Sequence, residues 1–192
     1  AAADRLLRYA LDIYKDTEYL AEFHYLTGKL NEAQGKKNEA LACYARATAA
    51  SPVPEKIKVY VEARLRMLAI LGLYPEGIEV LSRSRQKQWL GPEALQGWYR
   101  EFGDGLTGQG AKSAIDAYLA GVDGDMPKDS KAAQQIHLQL GDLFRKAGEM
   151  EKGRGHLQKA QAGPDELLKK KAKNILNQIE IDLGRKSRKG AR

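Results

Sequence analysis

Small and bulky side chains alternate along this chain at helical spacing, and the alternation itself repeats. Alanine or glycine stands at positions 3, 40, 77, 114 and 153, at intervals of 37, 37, 37 and 39 residues. In each case a bulky residue follows four positions later and a small one three after that. Examples are Ala40, Tyr44 and Ala47, and Gly153, Leu157 and Ala160. Such residues fall on one stripe of a helix with 3.6 residues per turn. The small ones let a neighbouring helix approach, and the bulky one fills the gap beyond. From the second stripe on, the stretch ahead carries a helical period of its own, as in Phe23, Leu26, Gly28 and Leu30, or His137, Leu140, Gly141 and Phe144. Two amphipathic helices per period, at a period in the thirties, predict an array of helical hairpins. The expected fold is all-α, a right-handed superhelix of stacked antiparallel helical hairpins (an α-solenoid).

The boundaries follow from where the stripes stop. Residues 1–15 read as the second helix of a hairpin without its first, since Ala3, Leu7 and Ala10 repeat the small–bulky–small triplet. This suggests excision from a longer array. Hairpins are expected at about 17–52, 53–88, 92–121 and 130–163, with a terminal helix over 164–184. The second hairpin has Leu65 where the first carries Gly28. In the third, Gly103, Gly105, Gly108 and Gly110 crowd the first helix and its turn. Each mid-helix glycine costs about 1 kcal/mol relative to alanine, so that helix is expected to end early or fray. Longer connections are expected near 86–92, carrying Trp89, and over 122–130. Gly184 suits a left-handed helix stop, with residues 185–192 as a disordered basic tail.

Charge separates the tail from the body. The net charge is +7. Residues 169–192 hold nine basic and two acidic side chains, so the whole excess lies there and the remaining 168 residues carry 23 of each sign. A basic patch over the folded part, as a nucleic-acid reader needs, is not implied. No apolar run approaches the roughly 18–20 residues of a membrane helix. The start, Ala1-Ala2-Ala3-Asp4-Arg5, reads as lacking a signal peptide, with cytoplasm and bacterial periplasm both open. A single cysteine, Cys43, excludes an internal disulfide framework.

The sequence carries no complete catalytic or metal-binding pattern. Asp123-Gly124-Asp125 lacks the closing glutamate of a calcium loop and is interrupted by Pro127 and Lys128. It reads as a turn, with Asp129 or Ser130 capping the next helix. His24, His137 and His156 are scattered, without an i, i+4 pair, and His24 and His137 occupy bulky packing positions. Cys43 reads as a small, partly buried hydrophobe. Gly103-Asp-Gly-Leu-Thr-Gly108 is followed directly by Gln109 and not by the lysine and serine or threonine that a phosphate loop needs there. The chain therefore reads as a non-enzyme without cofactor or metal.

In the first hairpin, Gly28, Gly35, Ala40, Tyr44, Ala47 and Pro52 stand at the spacing of a known motif. The chain resembles the tetratricopeptide repeat family, with a period three longer than the usual one of roughly 34; the extra residues are assigned to the connections between hairpins. The fourth unit repeats the match with Gly141, Gly148, Gly153, Leu157, Ala160 and Pro164. The resemblance implies that first helices of successive hairpins line a concave groove holding a peptide or partner protein. Carrying the phase across places Tyr25, Lys29, Glu62, Arg66, Arg100, Gln135, Asp142 and Arg145 there. The expected function is a protein-interaction scaffold. The alternatives are a basic-tail binder of nucleic acid or an anionic membrane surface, or a regulatory or targeting segment of a larger enzyme.

Overall fold

The computed structural model describes residues 2–14, 19–51 and 53–190. Among these, every regular element is a helix. The order is α1 (Ala2–Ile13), α2 (Leu20–Ala33), α3 (Lys37–Ala50), α4 (Pro54–Leu71), α5 (Tyr74–Gln86), α6 (Pro92–Leu106), α7 (Ala111–Ala120), α8 (Lys131–Lys146), α9 (Met150–Ala162) and α10 (Glu166–Gly190). The all-α hairpin architecture expected from the sequence is what forms. Consecutive helices pair as α2/α3, α4/α5, α6/α7 and α8/α9, and helices adjacent in sequence supply most of the packing. Pro52 and Thr17 lie outside the described residues, as do positions 191–192 of the expected tail.

The chain forms two compact units, Ala1–Gly91 and Pro92–Arg192. The division falls in the connection that carries Trp89. In unit 1, α1 packs on α2 as a lone helix, and Leu6, Tyr9 and Ile13 face outward. The hairpins of units 1 and 2 are built by one device. The turn glycines Gly35, Gly72 and Gly148 adopt φ of +74°, +71° and +83°, a left-handed conformation that costs glycine least. Within the helices, a first-helix glycine lets a second-helix side chain cross against bare backbone. A Cβ on Gly28 would lie 2.6 Å from the Tyr44 ring, and one on Gly103 2.5 Å from the Tyr118 ring. One on Gly141 would meet Leu157. Where glycine is missing, Leu65 and Leu81 are both fully buried, and α4 packs on α5 far less extensively than α2 does on α3.

Two expectations are corrected. The first helix of the third hairpin neither ends early nor frays before its turn, because α6 runs through Gly103 and Gly105 to Leu106. The burial of Tyr99, Phe102 and Leu106, together with the Tyr118 ring seated on Gly103, offsets the poor helix propensity. The last helix does not stop at Gly184 but continues to Gly190. Residues 185–190 are therefore backbone of α10 and not an irregular tail. Good helix formers (Arg185, Lys186, Arg188 and Lys189) flank that glycine with no proline among them.

Candidate functional site

The predicted groove residues fall into two sets, one in each unit. In unit 1 they lie where α2 meets α4, the first helices of successive hairpins. Tyr25 is half-buried, its ring 5.8 Å from Tyr44 and 5.2 Å from Tyr60. It is thus a packing residue of the seam as much as a surface one. Arg66 reaches Glu32 at 3.5 Å. Lys29 is exposed and Glu62 half-buried.

The seam also uses residues that the repeat phase did not single out. Two carboxylates of α2, Glu22 and Glu32, each join a basic side chain of α4 and a buried tyrosine hydroxyl. Lys56 Nζ and the Tyr60 hydroxyl both donate to Glu22 Oε2 at 2.9 Å. The Tyr44 hydroxyl donates to Glu32. The Lys56 hydrogen bond, with help from Tyr60, holds Glu22 below the usual carboxylate range despite partial burial. Burial, then the Glu32 hydrogen bond, pushes the Tyr44 hydroxyl well above its ordinary value, so it remains a donor. Sequence held a partial signal for this: each ion pair spans 34 residues, within a helical turn of the 37-residue period that sets first helices side by side.

In unit 2, Arg100 of α6 donates to Gln135 of α8 at 2.9 Å, again first helix to first helix. Asp142 and Arg145 pair within α8, Arg145 Nη2 lying 2.9 Å and Lys146 Nζ 2.7 Å from the carboxylate. Burial opposes the charge of Asp142, but the two cations hold its carboxyl below the usual range.

Two buried glutamines fix the walls of unit 2. Gln96 Nε2 donates to the carbonyls of Gly121 and Pro127 at 2.9 and 2.8 Å, and its Oε1 accepts from the Ser130 hydroxyl. Ser130 in turn caps α8 by accepting from Ala133 N at 2.9 Å, as one of the two expected capping residues. Gln134 repeats the pattern one hairpin on. Its Nε2 donates to the carbonyls of Ala160 and Asp165 at 2.8 and 3.0 Å, and its Oε1 accepts from Asp165 N at 2.8 Å. Asp165 caps α10 through Leu167 N and Leu168 N. Each glutamine therefore ties a first helix to the end of its own hairpin and to the cap of the next helix. Both stand seven residues before the crossing glycine, Gly103 or Gly141, a register visible in the sequence once the crossing is known.

Two of the three histidines do not remain scattered. His137 of α8 and His156 of α9 bring their Nδ1 atoms to 3.0 Å, and Phe144 stacks on His156 at 5.5 Å. Burial first, then His156 and Lys159, lowers His137 to about 4. Burial and Lys159 lower His156 as well. The pair lines a cleft of about 890 Å³ bounded by α7, the 121–130 connection, α8 and α9. The antiparallel crossing of Gly141 with Gly153 was the signal that could have predicted this meeting. His24 stands apart in unit 1, its Nδ1 buried without a partner.

Cys43 is buried, with Asn31 donating weakly to its sulfur at 3.6 Å; burial raises its thiol above the usual value, which disfavours the reactive thiolate. In the 121–130 connection Gly124 is left-handed and Met126 is buried. Among the described residues, no group of three or more His, Cys, Asp or Glu side chains is placed to hold a metal ion. No helix among them is long and apolar enough to cross a membrane. No protein-family model matches the chain, and neither does any curated protein.

Proposed function

We propose that this chain is a protein-interaction scaffold of the tetratricopeptide type, holding a peptide or partner protein against the first-helix faces of its hairpins. The observation that carries this reading is the seam of cross-helix contacts. The Glu22–Lys56, Glu32–Arg66 and Arg100–Gln135 pairs all join first helices of successive hairpins. A surface whose side chains are already positioned by neighbours loses little conformational freedom on binding. It presents mixed charge with tyrosine between, the composition of a polar peptide groove rather than of a nucleic-acid face.

Photo-crosslinking residues placed at Lys29 and at Gln139, on first helices, test it against ones at Lys112 and Arg154, on second helices. A partner captured from native extract by the first pair, and rebound in purified form, supports the groove. Capture by the second pair alone overturns it.

The basic-segment alternative gains one observation, the continuation of α10 to Gly190, which strings the C-terminal basic residues along a helix. Phosphate contacts lose affinity steeply with salt. A partner released by truncation after Leu183, and by raised salt, would favour that reading.

A further inference from the structure

The cleft of unit 2 lies among α7, α8, α9 and the 121–130 connection, apart from the Arg100–Gln135 seam, and its chemistry is not that of a peptide groove. His137, His156 and Lys159 line it from α8 and α9, beside apolar surface from Leu119, Val122 and Ala162. With both rings neutral, one Nδ1–H donates to the other Nδ1, which leaves the two Nε2 atoms as one donor and one acceptor. Because the Nδ1 atoms are occupied by each other, and no third ligand stands by, a metal ion is a poor occupant. Lys159, whose charge bears on both rings, repels cations in general.

We propose that this cleft binds a carboxylate carried on a short apolar body, its two oxygens held by Lys159 Nζ and the outer nitrogens of the His137–His156 pair. A carboxylate offers two acceptor oxygens to a small set of donors, and about 890 Å³ is ample for a small organic acid. Binding is coupled to protonation. A proton added at the acceptor Nε2 leaves the Nδ1–H···Nδ1 bond intact, and the bound anion offsets the repulsion from Lys159 that opposes that proton. The other charged groups lining the cleft are Asp123, Lys128 and Asp129 of the 121–130 connection, and Lys152 lies over the Phe144 ring at 5.5 Å from its centroid. The two aspartates belong with Lys128 to the 121–130 connection, whereas Lys159 shares α9 with His156, so the carboxylate is assigned to the Lys159 side and its apolar body to Leu119 and Val122. The source of the carboxylate is either a free small acid or the C-terminus of a peptide.

The test is an NMR titration of the intact chain, reading the ring resonances of all three histidines. Hexanoate is expected to shift His137 and His156 saturably and leave His24 unmoved, whereas hexanamide shifts none. Binding should tighten about fivefold between about pH 8 and about pH 6. Lys159→Gln should weaken binding about tenfold with the helix content unchanged, and His156→Gln should abolish the pH dependence. A short apolar peptide with a free C-terminus, run beside its amidated form, decides the source by which acid binds tighter. Equal shifts with hexanamide, an equal response at His24, absence of saturation, or unchanged affinity in Lys159→Gln each overturns the proposal.

Discussion

The first and fourth hairpins are the same object built 113 residues apart, and position by position they solve the same problems with different chemistry. Gly28 and Gly141 both admit a crossing side chain, but the first hairpin uses Tyr44 and the fourth Leu157. Ala40 of the first becomes Gly153 in the fourth, where the backbones approach so closely that a Cβ would lie 2.9 Å from the Gly141 carbonyl oxygen. Ala21, packed with Ala47 and Tyr60, becomes Gln134 with its three hydrogen bonds to backbone. His24 and Cys43 become His137 and His156, which meet. The first hairpin is thus joined to its successor by aromatic packing and ion pairs, and the fourth by a buried amide. A repeat fixes the geometry of the crossing but leaves open the interaction that locks one hairpin to the next.

The sharpest way to break this comparison is to give the fourth hairpin the first one's residue. Gly153→Ala should destabilise unit 2 by about 3 kcal/mol, the upper part of the usual overpacking range, because the obstructing atoms are backbone and cannot rotate away. Ala40 already carries that methyl at no exposure in unit 1. Native-state hydrogen exchange resolves the two units, and the loss should appear around α8 and α9 and spare α2 and α3. Gln134→Ala should cost about 2 kcal/mol by leaving the Ala160 and Asp165 backbone groups unpaired. Its exchange signature is faster opening at the start of α10, with α2 and α3 unchanged; uniform slowing or no change would refute the clamp.

Acid provides a third contrast. A base whose pKa is lowered by folding binds fewer protons folded than unfolded, so stability is complete above the unfolded value near 6.5 and declines as pH falls toward the folded one. For His137 that window extends down to about 4, and His156 adds to it. Unit 1 has only His24, lowered chiefly by burial. Between these pH values α8 and α9 should lose protection faster than α2 and α3, and replacing His156 by Phe should narrow the difference. The smallest effect has the opposite sign. Gly155 of α9 has nothing within 4 Å of a would-be Cβ, so Gly155→Ala should stabilise unit 2 by about 0.8 kcal/mol, measured as a rise in its denaturation midpoint.

Much of the architecture was legible because it rests on periodic small residues. Gly28, Ala40 and Ala47, or Gly141, Gly153 and Ala160, mark the crossing directly, since only small residues permit it. Helix ends were less legible. Gly103 and Gly105 argue against a helix by propensity, and the contact that turns Gly103 to advantage comes from the Tyr118 ring, fifteen residues later. Gly184 reads as a stop by local rules, yet α10 passes through it. At the site, the phase located Arg66, Arg100 and Gln135 on contacting first helices but missed Glu22, Glu32 and Tyr60, because a repeat pattern assigns faces and not partners. The His137–His156 pair was invisible as a spacing motif because its two members come from antiparallel helices, where separation in sequence depends on the turn.

The scaffold reading turns on whether the first-helix faces carry the binding. Its most direct test is the affinity of the crosslinked, purified partner for two charge-reversed forms of the chain. One carries Arg66→Glu with Arg100→Glu on first helices, and the other Lys112→Glu with Arg154→Glu on second helices. The first form should lose binding at least about tenfold while the second stays within about twofold of the parent chain. Equal losses, or a loss confined to the second form, would contradict the scaffold reading.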